Sequence, residues 1–476
     1  MLQSGPLNAS PLRQDLFHRL PPAHYRLLRE LGRLADENHV RLYLVGGVVR
    51  DLLLNRPTGD LDFAVEGDGI AFGRAVADRY RAGLTVFERF ATARLTLPGG
   101  QKVDIASTRS ESYAQPAVLP NVKPSSLRDD LGRRDFTVNA MALQVNDFQF
   151  GLLHDPYGGQ RDLRSKTLRI LHERSFSDDP TRVFRAVRFM HRFGFRLEPA
   201  TRRLLVQAAA TRMIDRLSGP RLANEVFLLL GERHPERVVH QLVKLRLLRF
   251  LHPRVTYGLQ TKRLFLALPR ALNWWHQGPD ASVVQRPFVY LMALLSATAP
   301  SVRRSIAKRL QLSSARCQAL EMAGAATERM AALLSAREPL RRSRVYRLLA
   351  DVPAEAMVLA LAKSRVNHGT KGFRRTRDRL REYLLRDRYT AIAVRGSDLA
   401  RLGLKPGPAY KRILDRILEA RLDGRISTDH EEREMAERLV NRARSALENV
   451  VQRGLNRVVD RSDRSSSPPR DGSAAG

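Results

Sequence analysis

Cysteine is almost absent from this chain: Cys317 is the single one in 476 residues, so no intrachain disulfide framework can brace the fold. That suits a reducing compartment. Long apolar runs are missing too, which argues against a membrane-spanning helix, and the opening residues MLQSGPLNASPLRQDLFHRL lack the apolar centre of a secretory signal. A soluble, cytoplasmic protein with no membrane partner is expected. Acidic residues are scarce beside basic ones: 49 Asp and Glu stand against 82 Lys and Arg, a formal charge of +33. Codon bias explains arginine in place of lysine, but not so large an excess over the acids. A polyanionic partner is the physical expectation, because cations along a phosphate chain release its condensed counterions whatever the base sequence. Tryptophan occurs twice, as Trp274-Trp275. These rings either stack on a nucleic-acid end or pack between helices.

What is present concentrates at Arg41 and beyond. RLYLV reads as a short apolar strand, Gly46-Gly47 lets backbone approach a ligand closely, and VVRDLLL follows with apolar residues at helical spacing. Strand, glycine turn and helix form a cradle for phosphate, with Gly46, Gly47, Arg50 and Asp51 as candidate contacts. Nine residues past Asp51 comes the pair Asp60 and Asp62, separated by one residue in an apolar context, which strand alternation puts on one face. Two carboxylates side by side at a phosphate site favour Mg²⁺, a hard ion that keeps waters and accepts oxygen ligands. Either motif alone is also found as a plain tight turn or a solvated strand end. Their order and spacing together favour a site.

Short strand-like runs alternate with helical ones as far as about residue 170, with helices expected through GIAFGRAVADRY and at DFTVNAMAL. Beyond that the apolar spacing is almost wholly three and four. The fold class expected is α+β, a small mixed sheet with packed helices followed by an all-helical remainder.

LVGGVVRDLLLN with DLDFAV resembles the signature of class II tRNA nucleotidyltransferases and bacterial poly(A) polymerases, within the DNA polymerase beta nucleotidyltransferase superfamily. Further blocks are similar in order: RRDFTVNAMAL (133–143), HDPYGGQRDLRSKTLRIL (154–171), DDPTRVFRAVRFMHRFGF (178–195) and RLANEV (221–226). The resemblance implies an N-terminal leader and helix over 1–33, a catalytic head over 34–170, a base-reading neck over 171–235, a body over 236–390 and a tail over 391–455 that meets tRNA. Residues 456–476 read as disordered by composition. It implies template-independent addition of C and/or A from CTP or ATP to the 3′ end of tRNA, at its acceptor arm, by two Mg²⁺ ions on the catalytic Asp60 and Asp62. Asp104 in KVDIA is either a third carboxylate ligand or a structural one. A poly(A) polymerase is the alternative, with a CC-adding enzyme or a retired RNA-binding protein behind it.

By the same resemblance Asp135 and Asn139 meet the ribose and Arg134 the phosphates. Asp179 and Arg182 lie three apart on an expected helix and so share a face. A carboxylate accepts from the exocyclic amine of C or A, and a guanidinium donates to the neighbouring ring nitrogen or carbonyl. U and G would set a carbonyl against the carboxylate. Arg185 and Arg188 continue the spacing toward the same ligand's phosphates or toward the pair itself. The family's usual Glu at the head of this block is Asp178 here. The polar, proline-bearing stretch 107–128 reads as a long mobile loop beside the site. In the family such a loop accompanies addition of A, without separating CCA-adding from A-adding enzymes. In the tail, Pro406-Gly407-Pro408 either presents backbone to RNA phosphate or only divides two helices. Asp429-His430 reverses the order of a metal phosphohydrolase pair and has no histidine cluster, so no phosphatase activity is expected.

Overall fold

The computed structural model describes residues 9–11, 20–57, 61–113, 115, 120–278 and 283–445. Asp60 and the segment 116–119 therefore lie outside the described residues. The chain forms two compact units, one of 1–262 with 286–320 and one of 263–285 with 321–476.

The first unit opens with β1 (Ala9–Pro11), α1 (Pro22–Glu37), β2 (Arg41–Val45), α2 (Gly47–Leu53), β3 (Leu61–Glu66) and α3 (Gly69–Tyr80). There follow β4 (Gly83–Phe87), β5 (Thr92–Thr96), β6 (Lys102–Ser107), the pair β7 (Arg109–Ser112) and β8 (Asn121–Pro124), and α4 (Leu127–Gly132). Eight strands make one mixed sheet in the order β1-β10-β9-β2-β3-β6-β5-β4, where β9 is Ala142–Gln144 and β10 is Leu152–His154. Only β3 and β6 run parallel, and their register sets Asp62 opposite Asp104. Edge strand β1 carries Pro11, which has no N–H to donate and is tolerated at an edge. That strand, hidden in the polar leader, has no alternation by which to recognise it.

Helix α3 forms where expected, with Asp68 capping the Ile70 and Ala71 amides. Gly73 lets it settle on the sheet, since a Cβ there would stand 2.4 Å from Ala93. Two expectations fail. The residues DFTVNAMAL make a single 3₁₀ turn, Thr137–Asn139, and then strand β9, because Ala142 and Leu143 pair with Val45 and Leu44 of β2. Sheet pairing overrides the helical leaning of Ala, Met and Leu. Within the stretch expected as a loop, β7 and β8 pair, in register from Arg109 opposite Pro124 to Ser112 opposite Asn121.

After α5 (Gly159–Arg164) and β11 (Thr167–Leu168) come α6 (Ser175–Asp178), α7 (Thr181–Phe193), β12 (Arg196–Leu197), α8 (Pro199–Ala210), α9 (Gly219–Leu230) and α10 (Pro235–Lys244). Helix α7 buries Val183, Phe184, Ala186, Val187 and Phe189, and Phe189 meets Phe136 edge-on at 5.8 Å. Aromatic packing thus fixes α7 against the turn that follows Arg134 and Asp135.

The second unit is helical, its longest element Ala354–Leu385, broken at Gly369 where φ is 64°. Its terminal part packs Leu399, Ile413, Ile417 and Val440 in one cluster. Trp275 is 2% exposed, which decides for packing over stacking at that ring. No described helix is long and apolar enough to cross a membrane.

Candidate active site

The glycine turn is built as the sequence suggests. Gly46 takes φ 74° and ψ −127°, a region closed to side chains, and a Cβ there would stand 2.8 Å from Arg134 Nη1. The turn opens onto a cavity of about 620 Å³ whose lining includes Gly46, Gly47, Arg50, Asp62, Arg134, Asp135, Asn139, Asp179, Arg182, Arg185 and Arg188. Candidates scattered over more than a hundred residues of sequence therefore share one wall. Asp51 and Asp104 do not line it.

Arg50 is not an open fork. It is buried, donates to both oxygens of Asp51 at 2.9 Å and to Asn139 Oδ1 at 2.6 Å, and stacks on Phe193 at 4.4 Å. Asn139 in turn donates to Asp135 Oδ1 at 2.8 Å, and Arg185 holds Asp135 Oδ2 at 2.6 to 2.7 Å. A continuous hydrogen-bonded chain thus runs from the glycine turn to α7. Burial alone would push the Asp135 carboxyl up, but Arg185, the Asn139 amide and Arg182 together hold it below its ordinary value. Arg185 is raised, first by Asp135.

Asp179 is not on the helix with Arg182. It sits in extended backbone at the end of α6, and Pro180 caps α7, because proline disfavours helical geometry in the residue before it. The two side chains nevertheless reach the same cavity with separate supports. Asp179 Oδ1 accepts from Thr181 N at 3.1 Å, Thr181 Oγ1 at 2.7 Å and Arg221 Nη2 at 2.8 Å. Oδ2 accepts no hydrogen bond among the described residues. Arg182 donates from Nη1 to Ser175 Oγ at 2.7 Å and from Nη2 to the Arg133 carbonyl at 2.6 Å.

Several contributors had no role in the sequence reading. Asp130, 1% exposed, accepts from both Arg133 and Arg134, which keep its carboxyl below the ordinary range against the upward push of burial. Glu111 of β7 binds Arg133 at 2.6 Å and accepts from Tyr113, which ties β7 to the cavity wall. Arg221 and Glu225 come from the RLANEV block, whose recurrence was visible but whose chemistry was not. Burial raises the Glu225 carboxyl although Arg188 stands 3.8 Å away. Arg134 Nε, Arg188 Nε and Nη1, and Glu225 Oε2 are buried without hydrogen-bond partners. Buried unpaired donors concentrated at one cavity are a mark of a ligand position.

For a cation, the donor set near the turn is carboxylate oxygen. Asp62 is exposed at the cavity wall on β3. Asp104, its register partner, is held by Arg94 through two bonds of 2.8 and 2.7 Å, so it would have to leave Arg94 to ligate a metal. Oxygen donors suit a hard divalent ion, and Asp62 fits that use.

The chain matches the poly A polymerase head domain over residues 42–169 and the probable RNA and SrmB-binding site of polymerase A over 194–259. An A-adding tRNA nucleotidyltransferase of Geobacter sulfurreducens is 37% identical over 447 residues, 92% of this chain and 50% of that protein. A CC-adding tRNA nucleotidyltransferase of Deinococcus radiodurans is 32% identical over 425 residues, 89% of this chain and 96% of the relative. A CCA-adding enzyme in its apo form superposes with a TM-score of 0.75 at 33% identity, over 89% of this chain and 97% of that one. The Thermotoga maritima CCA-adding enzyme complexed with tRNA gives 0.67 at 30% identity, over 90% and 98%. The fold is that of the nucleotidyltransferase class. The chain belongs to the family of tRNA nucleotidyltransferases and bacterial poly(A) polymerases. It spans about half or less of the length of the A-adding relatives it matches. Membership carries a divalent-cation requirement.

Proposed function

We propose that this chain adds C and/or A from CTP or ATP to the 3′ end of tRNA without a nucleic-acid template, in the cytoplasm. The observation that carries the reading is the division of labour on Asp179, a residue of the cavity lining: Oδ1 accepts from Thr181 and Arg221 while Oδ2 accepts nothing among the described residues. A fixed carboxylate oxygen with no donor of its own suits the exocyclic amine of C or A and repels the carbonyl of U or G. Arg182, locked by Ser175 and the Arg133 carbonyl, supplies the neighbouring donor from its remaining N–H groups.

In the reaction the RNA 3′-oxygen forms a bond to the α-phosphorus, the bond from that phosphorus to the bridging oxygen breaks, and pyrophosphate leaves. Asp62, together with Asp60, would hold the divalent ions, Mg²⁺ by the hardness of the donors, and these would acidify the hydroxyl and neutralise the leaving group. Arg134 and Arg188, with buried donors lacking partners, take the triphosphate oxygens. Asp135 and Asn139, pinned between Arg50 and Arg185, position the ribose through the oxygens and amide that line the cavity.

Addition of the terminal A is supported by the 37% identical A-adding relative. Addition of CC is favoured by the near full-length match to the Deinococcus protein. Purified protein with Mg²⁺, labelled CTP or ATP, and tRNA lacking none, one or three of its CCA residues separates these. A single A on tRNA ending in CC, or full CCA on trimmed tRNA, supports the reading. Long A tails on any RNA would replace it with a poly(A) polymerase, and no incorporation at all would end it.

A further inference from the structure

Arginines crowd the nucleotide cavity, and most of them are committed to an acid. Arg50 is bonded to Asp51, Arg134 to Asp130, Arg185 to Asp135 and Arg221 to Asp179, at 2.7 to 2.9 Å. Arg188 of α7 and Glu225 of α9 depart from that pattern. Both line the cavity and both are 6% exposed, yet Arg188 Nη1 and Glu225 Oε2 stand 3.8 Å apart and neither atom makes a hydrogen bond. Arg188 Nε is buried without a partner as well. Burial pushes the Arg188 guanidinium down, and Glu225 is foremost among the groups opposing that. Burial pushes the Glu225 carboxyl up, and Arg188 is foremost in opposing it, ahead of Arg185 and Arg221, while Asp179 adds to the upward push. Each side chain is thus the other's main counter-charge.

A buried ion pair repays its desolvation only when its hydrogen bonds are made. This pair leaves them unmade, so it is a weak clamp between α7 and α9. At 3.8 Å the guanidinium still feels the carboxylate's charge, while its donors stay free for another anion. A phosphate oxygen that takes those donors brings its own negative charge close to Glu225, which then opposes it. We infer that Glu225 is a positioning residue that keeps Arg188 charged and in place in the empty site, then competes with bound phosphate for it, so that pyrophosphate is released. Resting on the proposed nucleotidyl transfer, this role covers the step that ends each addition. A leaving group held too tightly would limit turnover however fast the chemistry.

Glu225→Gln keeps the shape and removes the charge. In the full chain it is expected to make pyrophosphate inhibit at about tenfold lower concentration and to lower KM for ATP about tenfold, with kcat reduced as release slows. Thermal melting gives a readout that needs no turnover: the empty variant should melt below wild type, and pyrophosphate should raise its midpoint by more than it raises that of wild type. A pair that only braces the wall would move these the other way. Weaker pyrophosphate inhibition, a higher KM, a smaller thermal shift, or values equal to wild type overturn the role. In an Arg188→Gln background, where no buried guanidinium is left to contest, adding Glu225→Gln should change pyrophosphate inhibition less than about twofold. A full effect there overturns action through Arg188. A wild type that incorporates no nucleotide, beside a variant with an enlarged pyrophosphate shift, overturns the proposed reaction and keeps the role of Glu225. Normal incorporation without the enlarged shift does the reverse, and failure of both overturns both.

Discussion

The two ends of the nucleotide cavity are made differently. At the carboxylate end Asp62 is exposed and Asp104 is half-open beside an exposed Arg94. At the inner end Arg182 and Asp135 are 5 and 7% exposed, each held by hydrogen bonds with other side chains. The difference follows from what each end does in a cycle. Ions and pyrophosphate must enter and leave at the first, whereas the second must present one fixed set of donors and acceptors, because rejection of a wrong base comes from groups that cannot rearrange to suit it.

If the open end carries the chemistry and little of the stability, Asp62→Ala should lower incorporation about a thousandfold or more, roughly 4 kcal/mol of barrier, with the thermal midpoint unchanged. A large loss of stability would break the contrast. At the closed end Arg185→Ala strands a buried carboxylate and should cost about 3 kcal/mol in urea unfolding. The same pair gives a pH signature. The Asp135 pKa is depressed in the folded protein, so its contribution is complete above the unfolded value near 3.8 and is lost as pH falls through the folded value. Stability should therefore fall more steeply below about pH 4 in wild type than in Asp135→Asn, as unfolding curves over pH would show. Arg221→Ala removes one of three supports of Asp179 Oδ1 and should reduce discrimination against UTP by about tenfold, measured as a ratio of single-nucleotide incorporation rates. Asp104→Asn sharpens the open end: paired to Arg94, it should change the rate by less than about tenfold, and a loss matching Asp62→Ala would make it a metal ligand.

Much of this was legible in order and spacing. The strand, glycine turn and helix from Arg41 to Leu53 and the α+β division stand as read, because local periodicity and backbone demands set them. The contrast between the ends was not legible. Arg50 reads as a phosphate fork, but its direction toward Asn139 depends on a contact 89 residues away. Asp179 and Arg182 read as one helical face, while Pro180 separates them into two elements with separate supports. Asp130, Glu111 and Glu225 gave no signal because a single acid among many becomes special only when tertiary packing surrounds it with arginine. The helical expectation at DFTVNAMAL failed for the same kind of reason, since β2 supplied a partner no local pattern announces.

The central claim is that protein side chains, with no template, choose the base. Offering each of the four NTPs alone to wild type and to the Asp179→Ala/Arg182→Ala double variant, on tRNA with a trimmed 3′ end, tests it most directly. The account predicts incorporation of only C or A by wild type, and a collapse of that preference by about a hundredfold in the variant. Discrimination that survives the double substitution would contradict it.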